Sequence, residues 1–419
     1  MYSSELHALE YEAESSAANW AENVGTYATQ GVPLIAPVDI TKLTEEMLPP
    51  QYIMQRLQAG VAHIPGPKGG IITTRVHIPG NGSATTGAVT QSPLANLLGY
   101  AFGKHTAGAS GTTFAGGGTA NAPTTVASGT LAPGQLLRGG TGGLSADGRG
   151  NGAWGVLGTH VGTTANLLVG FDARPNAADI LYSSDMLYLP EDANDASVPV
   201  IGIRMRFVTA GLQIEAHGCF AVARRIGGGG AGETGWVEVD WQVSWWKYTT
   251  SGTWPSTVTS TKNNPVITGN GGLFVAAVGT ATRDATSKRT AAGFTVEIEG
   301  GMVAVPGHTG VHPQQTVVGA RRVPAKIKIR WTEEADSAAT LTPFLDTIWS
   351  GTAVHVLFEA TRSPTTGWCL YFPNCCPSGP RPLPFADNGI WRIAIELMAY
   401  TTSTTTSALT LAAMLFGLS

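Results

Sequence analysis

The sequence is poor in charge. Asp, Glu, Lys and Arg make up 13% of its 419 residues, against roughly 25% in ordinary globular chains. Few charges remain to decorate a free monomer. A subunit whose surfaces are covered by sister copies needs fewer, because interface centres are depleted of charge. A GC-rich coding sequence favouring Gly and Ala accounts for the same composition equally well. Basic clusters are also missing. The 25 Lys and Arg are scattered, the densest runs are Arg204–Arg206, Arg224–Arg225 and Arg321–Arg322, and the net charge is −4. Counterion release requires clustered cations, so this balance argues against nucleic-acid binding as the main task.

Cysteine is rare, with four residues: Cys219, Cys369, Cys375 and Cys376. None sits in a CxxC pair, and vicinal Cys375–Cys376 is poor zinc geometry. Free, mostly buried thiols in a cytosolic chain are the expectation. Long apolar runs are absent as well. The longest, Ala408–Leu418, is shorter than the roughly 20 residues that cross a bilayer. The start, MYSSELHALEYEAE, lacks the basic-then-apolar pattern of a secretion signal. Neither a membrane partner nor secretion is expected.

Catalytic signatures are mostly missing. Gly99, Gly103, Lys104 and His105 imitate a phosphate-binding loop, but it is one residue short and has His where Ser or Thr must hold magnesium. Gly227–Gly230 reads as a flexible turn between strands. His308 and His312 have i, i+4 spacing, but Pro306 and Pro313 flank them and oppose a metal-binding helix. His217 and Cys219 share a strand face, yet no third group orients them. Glu191, Asp192, Asn194 and Asp195 lack the central Gly and terminal Glu of a calcium loop. Asn81-Gly82-Ser83 is a glycosylation sequon only in a secreted protein. The expected inventory is therefore no enzyme activity, no catalytic residue, no cofactor and no metal.

What is present is β-pattern. In Trp236–Lys247, Val237, Val239, Val243, Trp241 and Trp245 alternate with Glu238, Asp240, Gln242 and Ser244. Period two predicts one buried and one wet face. Ile201–Phe207, Phe294–Glu299, Ala325–Trp331 and Trp391–Met398 repeat the pattern, with Arg204 and Arg206 on the wet face of the first. Such strands between Gly, Pro and Asn turns predict an antiparallel sandwich or barrel. Two short helices are predicted from a capping Ser or Thr followed by Pro: Ser92-Pro93 and Thr342-Pro343. Residues 3 to 27 read as an acidic arm, with Leu6, Leu9 and Ala13 as the stripe of one helix.

The helices expose a repeat. A strand precedes each, and a Gly-to-Cys strand follows: Gly211 to Cys219 and Gly367 to Cys375, equally spaced. Trp236 follows Cys219 at almost the same interval as Trp391 follows Cys375, and each Trp opens an alternating strand. The span from Ser92 to Gly211 is far longer than that from Thr342 to Gly367, so the first half carries a large excess. Part of it is Gly108–Gly152, rich in Gly, Ala and Thr. It reads as an extended insertion or arm without a core of its own. The division is an acidic arm at 1–29, a first β domain at 30–250 with an insertion at about 104–200, and a second β domain at 251–419.

The stretch from Gly31 to Gly103 resembles the start of siphophage tail tube proteins, the major tail proteins of long non-contractile tails, in their two-domain form. The matching features are GVPLIAPVDITKLTEEMLPPQ, HIPGPKGGIITTRVHIPG and SPLANLLGYAFG. The later GLQIEAHGCFAVARRI and GWVEVDWQVSWW resemble the core hairpin of such proteins. The likeness rests on pattern, without one diagnostic motif; the Gly/Ala/Thr insertion and acidic arm depart from it.

The resemblance implies a mainly β fold: two related antiparallel sandwich or barrel domains, each with a short flanking helix. It implies homotrimeric rings of pseudo-sixfold symmetry, self-assembled into a tube whose lumen conducts DNA without specific binding. The implied partners are other copies, the tape measure, the terminator and the distal tail protein. The implied location is the virion tail, assembled in the host bacterial cytoplasm. Long hairpins and the arm would bridge rings, making Glu5, Leu6 and Leu9 candidate subunit contacts. Two rivals stand: another virion component (capsid, decoration or terminator), and a carbohydrate-binding tail receptor module suggested by 11 Trp.

Overall fold

A computed structural model describes residues 6–13, 34, 38–48, 64–78, 93–102, 104–106, 112–126, 131, 133–139, 154–171, 174, 180–183, 185–188, 201–207, 213–228, 234–249, 271–283, 287–289, 291–299, 303–306, 316–319, 326–334, 338–363, 366–400 and 414–418. In chain order these hold β1 (Leu6–Ala13), β2 (Asp39–Leu48), β3 (Ile64–His77), helix α1 (Pro93–Phe102), β4 (Lys104–Thr106), β5 (Thr112–Gly118), β6 (Pro123–Thr125), β7 (Leu136–Gly139), β8 (Trp154–Val161), β9 (Thr164–Val169), β10 (Ile180–Ser183) and β11 (Asp185–Tyr188). There follow β12 (Ile201–Phe207), β13 (Gln213–Gly228), β14 (Trp236–Val243), β15 (Trp245–Thr249), β16 (Gly271–Ala277), β17 (Lys288–Arg289), β18 (Ala292–Glu299), β19 (Val303–Pro306), β20 (Thr316–Gly319) and β21 (Lys326–Glu334). Helix α2 (Ala338–Trp349) precedes β22 (Val354–Ser363), β23 (Thr366–Pro377), β24 (Phe385–Asp387), β25 (Ile390–Ala399) and β26 (Leu415–Leu418). The protein is mainly β and its strand pairs are antiparallel.

One pairing order occurs twice. In the first part of the chain it is β1-β12-β13-β14-β3-β2. In the second it is β16-β22-β23-β25-β21-β18. Both run through these positions in the same chain order, and the helix falls after β3 in one and after β21 in the other. Details of register repeat too. Ile201 pairs Cys219, then a bulge shifts Ile203 to Ala216. Val354 pairs Cys375, then a bulge shifts Val356 to Phe372. Phe220 pairs Gln242 and Cys376 pairs Met398, so a single step along the chain carries both members of the first pair onto the second. That step sets Trp236 against Arg392, not Trp391, which is 61% exposed. The Trp-to-Trp match expected from sequence is thus off by one, and one residue along a strand means the opposite face.

The alternation drives the sheets. Val237, Val239, Trp241 and Val243 are buried, as are Phe294, Val296 and Ile298, Ile327, Ile329 and Trp331, and Ile393, Ile395 and Leu397. The strand expected through Lys247 breaks at Ser244, expected on the wet face but buried. Its hydroxyl donates to the Gly218 carbonyl at 2.8 Å and its N–H to the His217 carbonyl at 3.2 Å. This break lets β13 serve two sheets: its first part pairs β12 and β15, its last part β14 and β18.

Helix α1 begins at Pro93 and buries Leu97, Leu98, Ala101 and Phe102. Helix α2 starts earlier than its Thr342-Pro343 signal predicts, at Ala338, with Pro343 inside. Leu341, Phe344, Leu345 and Ile348 are buried, an i, i+3, i+4, i+7 stripe. Burial of Leu341 pulls the helix upstream of its proline. The described part of the expected helical arm is the strand β1, paired with β12 from Leu6 to Ala13. Leu9 and Tyr11 point into the core with period two, and Tyr11 meets Tyr100 of α1 edge-on at 6.0 Å. Strand period defeats helix period because β12 supplies a hydrogen-bonding edge.

The insertion is not a coreless arm. Strands β10-β5-β6-β9-β8-β7 close into a barrel. It encloses Phe114, Leu131, Leu137, Leu157, Ala165, Leu167 and Phe171. Its large apolar residues are sparse and widely spaced, but closure brings them together and removes the sheet edges. Glycine permits the close packing: a Cβ on Gly155 would lie 3.0 Å from the Phe171 ring.

Candidate assembly surface

Strand β13 of the first repeat pairs β18 of the second: Arg225 with Glu297, Ile226 with Val296, Gly227 with Thr295, and Gly228 with Phe294. This seam makes one continuous run of strands, β2-β3-β14-β13-β18-β21-β25-β23. Among the described residues, β2 pairs only β3. At the other end, β24 faces β25 as the end of β13 faces β14, and among the described residues β24 pairs only β25.

Across the polar face of this run lies a stripe of alternating charge: Arg75, Glu238, Arg225, Glu297, Arg330 and Glu396. Backbone register lines it up, since Arg75 is opposite Glu238, Glu238 opposite Arg225, Arg225 opposite Glu297, and Arg330 opposite Glu396. Arg75 donates to Glu238 at 2.9 Å, Arg225 to Glu297 at 3.1 Å, and Arg330 bridges Glu297 at 3.1 Å and Glu396. Arg224 joins Asp240 at 2.7 Å, and the Thr73 hydroxyl donates to the same carboxylate at 2.7 Å. The Ser378 hydroxyl donates to Glu396 at 2.7 Å, and this bond, ahead of Arg330, holds the carboxyl below its usual range. Lys328, bonded at 2.6 Å, lowers Glu299 in the same way. The stripe presents charge of both signs with no basic patch.

A second built contact fixes the barrel to the second repeat. Leu136, Trp154, Val156 and Val169 pack on Phe274, Leu357, Cys369 and Tyr371. The Arg283 guanidinium pairs with Glu359 at 2.9 Å and also donates to the Trp154 carbonyl, while the Trp154 N–H donates to Glu359 at 3.2 Å. Beside this contact, His355 lies between the Thr280 carbonyl at 3.0 Å and the Tyr371 hydroxyl at 3.2 Å. The carbonyl can only accept, so Nε2 carries the proton and Nδ1 accepts. Burial pushes this imidazole down to about 4.

The residues singled out from sequence do not converge. Gly99 lies inside α1 and Lys104 and His105 on the following strand β4, so the helix comes before the lysine, the reverse of a phosphate-binding loop. Gly227 and Gly228 belong to β13 instead of a turn. A Cβ on Gly227 would sit 2.5 Å from the Trp236 ring, so packing requires the glycine. His217 and Cys219 are buried at the bulge, with the imidazole against Trp245 at 5.5 Å. The cysteines are free thiols, three of them buried. Leu6 lies on β1, and Leu9 is fully buried in the main core. A side chain so placed has no surface left for a neighbouring subunit, which corrects its assignment as a contact. Glu5, His308, His312, the Glu191–Asp195 stretch and the Asn81 sequon lie outside the described residues. Among the described residues, no three His, Cys, Asp or Glu group to hold a metal, and no helix is long and apolar enough to cross a membrane.

The charge stripe was missed by sequence reasoning. Its signal was there, as acidic residues alternating along β14 and paired arginines on β13, but only register joins them. No protein-family model matches the chain, and no curated protein matches it.

Proposed function

We propose that this chain is a structural subunit of a long non-contractile phage tail tube, built from two related β domains. The observation that carries the reading is the twice-used strand order joined through the β13–β18 seam. Two like units joined this way use one strand of the β2/β18 kind and one of the β13/β23 kind inside the chain. One of each is left over. Repeating the same join between copies closes a ring, which removes the exposed edges. Three chains then give pseudo-sixfold symmetry, as in the family the sequence resembles. Stacked rings enclose a lumen for DNA.

The polar stripe suits such a wall. Its three cations are each matched by a carboxylate, so phosphates find no cluster on which counterion release would drive binding. The barrel hangs from the second repeat as an added module, which departs from the plainest form of the family. The test is negative-stain microscopy of the purified protein across a concentration series. Hollow tubes or rings of uniform width are expected. Icosahedral shells or isolated knobs would move the chain to another virion role, and persistent monomers would overturn the proposal.

A further inference from the structure

The hairpin of β24 and β25 turns through Asn388 and Gly389. Asp387 pairs Ile390, so the loop between them is only these two residues. The φ angle is 49° at Asn388 and 81° at Gly389, and Asn388 is the one residue other than glycine with a positive φ among the described residues. A two-residue loop that is left-handed at both positions is a type I′ turn, for which Asn-Gly is the favoured sequence. The fold thus explains why this pair stands here. It also leaves a side-chain amide next to an unshielded backbone nitrogen, with both residues exposed.

We propose that Asn388–Gly389 is a site of spontaneous covalent ageing, at which the asparagine amide is lost through a cyclic imide. The Gly389 nitrogen attacks the side-chain carbonyl carbon of Asn388. A bond forms between them, the bond from that carbon to Nδ2 breaks, and ammonia leaves with the proton of the Gly389 N–H. Water then opens the ring at either carbonyl. Opening at the side-chain carbonyl gives an aspartate. Opening at the main-chain carbonyl gives an isoaspartate, whose backbone runs through the former side chain. Water is the co-reactant, and nothing is oxidised or reduced. The inference stands on this hairpin and is independent of the tube reading.

Local structure favours this site over other described asparagines. Gly389 has no side chain to block the attack, and a Cβ there would meet nothing within 4 Å. Asp387 and Ile390 make the closing pair of the ladder, so the Gly389 N–H lies outside the strand pairing. Ring closure needs rotation about the Asn388 Cα–C bond, so the turn must open briefly. That opening costs little, because β24 is three residues long and pairs only β25 among the described residues. Phe385 and Ile390 are 41% exposed and Trp391 61%, so the opening disturbs no core. Asn121 and Asn166 are held differently. Asn121 donates to the Thr282 hydroxyl at 2.8 Å and precedes Ala122. Asn166 donates to the Thr159 hydroxyl at 3.3 Å and precedes the buried Leu167. Asn-Gly also occurs at Asn81, Asn151 and Asn270, which lie outside the described residues.

The two products differ in effect. Aspartate tolerates the left-handed region and keeps the turn, adding a carboxylate beside Asp387, which Arg392 already holds at 2.9 Å. Isoaspartate lengthens the loop by one backbone atom, so Asp387 and Ile390 no longer close across it. The test incubates the full-length protein at mildly alkaline pH in water enriched in heavy oxygen and follows it by peptide mapping. Asn388 is expected to convert at least tenfold faster than Asn121 or Asn166 and to take up one labelled oxygen. Isoaspartate, scored with isoaspartyl methyltransferase, should be in excess, whereas direct hydrolysis of the amide gives aspartate alone. Amide exchange should rise from Phe385 to Trp391 in the converted protein while β21 keeps its protection. Gly389→Ala should slow the conversion at least tenfold. Wild-type protein in which Asn388 converts no faster than Asn121, or yields aspartate without isoaspartate, would overturn the proposal whether or not the variant folds.

Discussion

Arg289 and Glu333 form a buried ion pair beneath helix α2. The Arg289 Nε lies 3.0 and 3.1 Å from the two Glu333 oxygens, and its Nη2 bonds the same carboxylate. Trp331 donates its indole N–H to Glu333 at 2.8 Å, and the guanidinium lies 4.0 Å from the centre of the Phe344 ring. Both side chains are almost fully buried. The pair therefore joins β17, β21 and the helix in one contact, and it carries the first prediction.

Removing one partner leaves the other charge buried and unmatched, which costs about 3–5 kcal/mol. Arg289→Ala or Glu333→Ala is expected to lower the urea midpoint accordingly. The double change Arg289→Met with Glu333→Leu should recover part of that loss, because an apolar replacement carries no charge to desolvate, while the buried Trp331 indole N–H loses its acceptor at a cost of about 1–3 kcal/mol. Equilibrium urea unfolding of all three variants checks it.

Glu297 gives the opposite expectation. It touches Arg225 and Arg330 at 3.1 Å each, but those arginines are 44% exposed. Solvent and salt screen such pairs, so Glu297→Gln should change stability by less than about 1 kcal/mol. The measured change should shrink further at about 0.5 M salt, where the Debye length is only a few ångströms. A larger, salt-insensitive loss in denaturant titrations would mean that the stripe is structural after all.

Arg283 is expected to control the barrel. Arg283→Ala strips Glu359 of its ion-pair partner and the Trp154 carbonyl of the guanidinium donor, leaving Glu359 only the Trp154 N–H among its contacts described above. The loss should concentrate at the barrel contact. Amide exchange in residues 154–171 should rise at least tenfold while β21 and β25 keep their protection.

His355 makes stability depend on pH. Its pKa falls from the usual 6.5 to about 4 on folding. Below pH 6.5 the unfolded chain takes up a proton that the folded chain refuses. Stability therefore drops as the pH falls from about 6.5 to about 4, by about 3 kcal/mol in all. His355→Gln should flatten that part of the profile, measured by urea midpoints from pH 7 to pH 4.

Strands were the most legible part of the sequence, because one buried face writes its period directly into residues such as Val237, Val239 and Trp241. The Gly-to-Cys spacing was legible too, and it coincides with a bulge used twice. What escaped depended on partners remote in sequence. The start of the chain reads as helix until β12 is laid beside it. The Gly-rich insertion reads as coreless until Phe114 and Phe171, from opposite ends of the barrel sequence, meet edge-on at 6.2 Å. The charge stripe needed six strands in register before Arg75 and Glu396 belonged to one feature.

The barrel is encoded in the first repeat yet seated on the second, and that separation imposes a timetable on synthesis. Its last strand ends at Ser183, whereas Tyr371 of its seat is made only after β11 to β22 have followed. At roughly 5–20 residues per second, the ribosome delivers the seat on the order of 10–40 s after the barrel is complete. During that interval Trp154 and Val156 lack the later-made part of their packing partners, and transiently exposed apolar surface of this kind is prone to association.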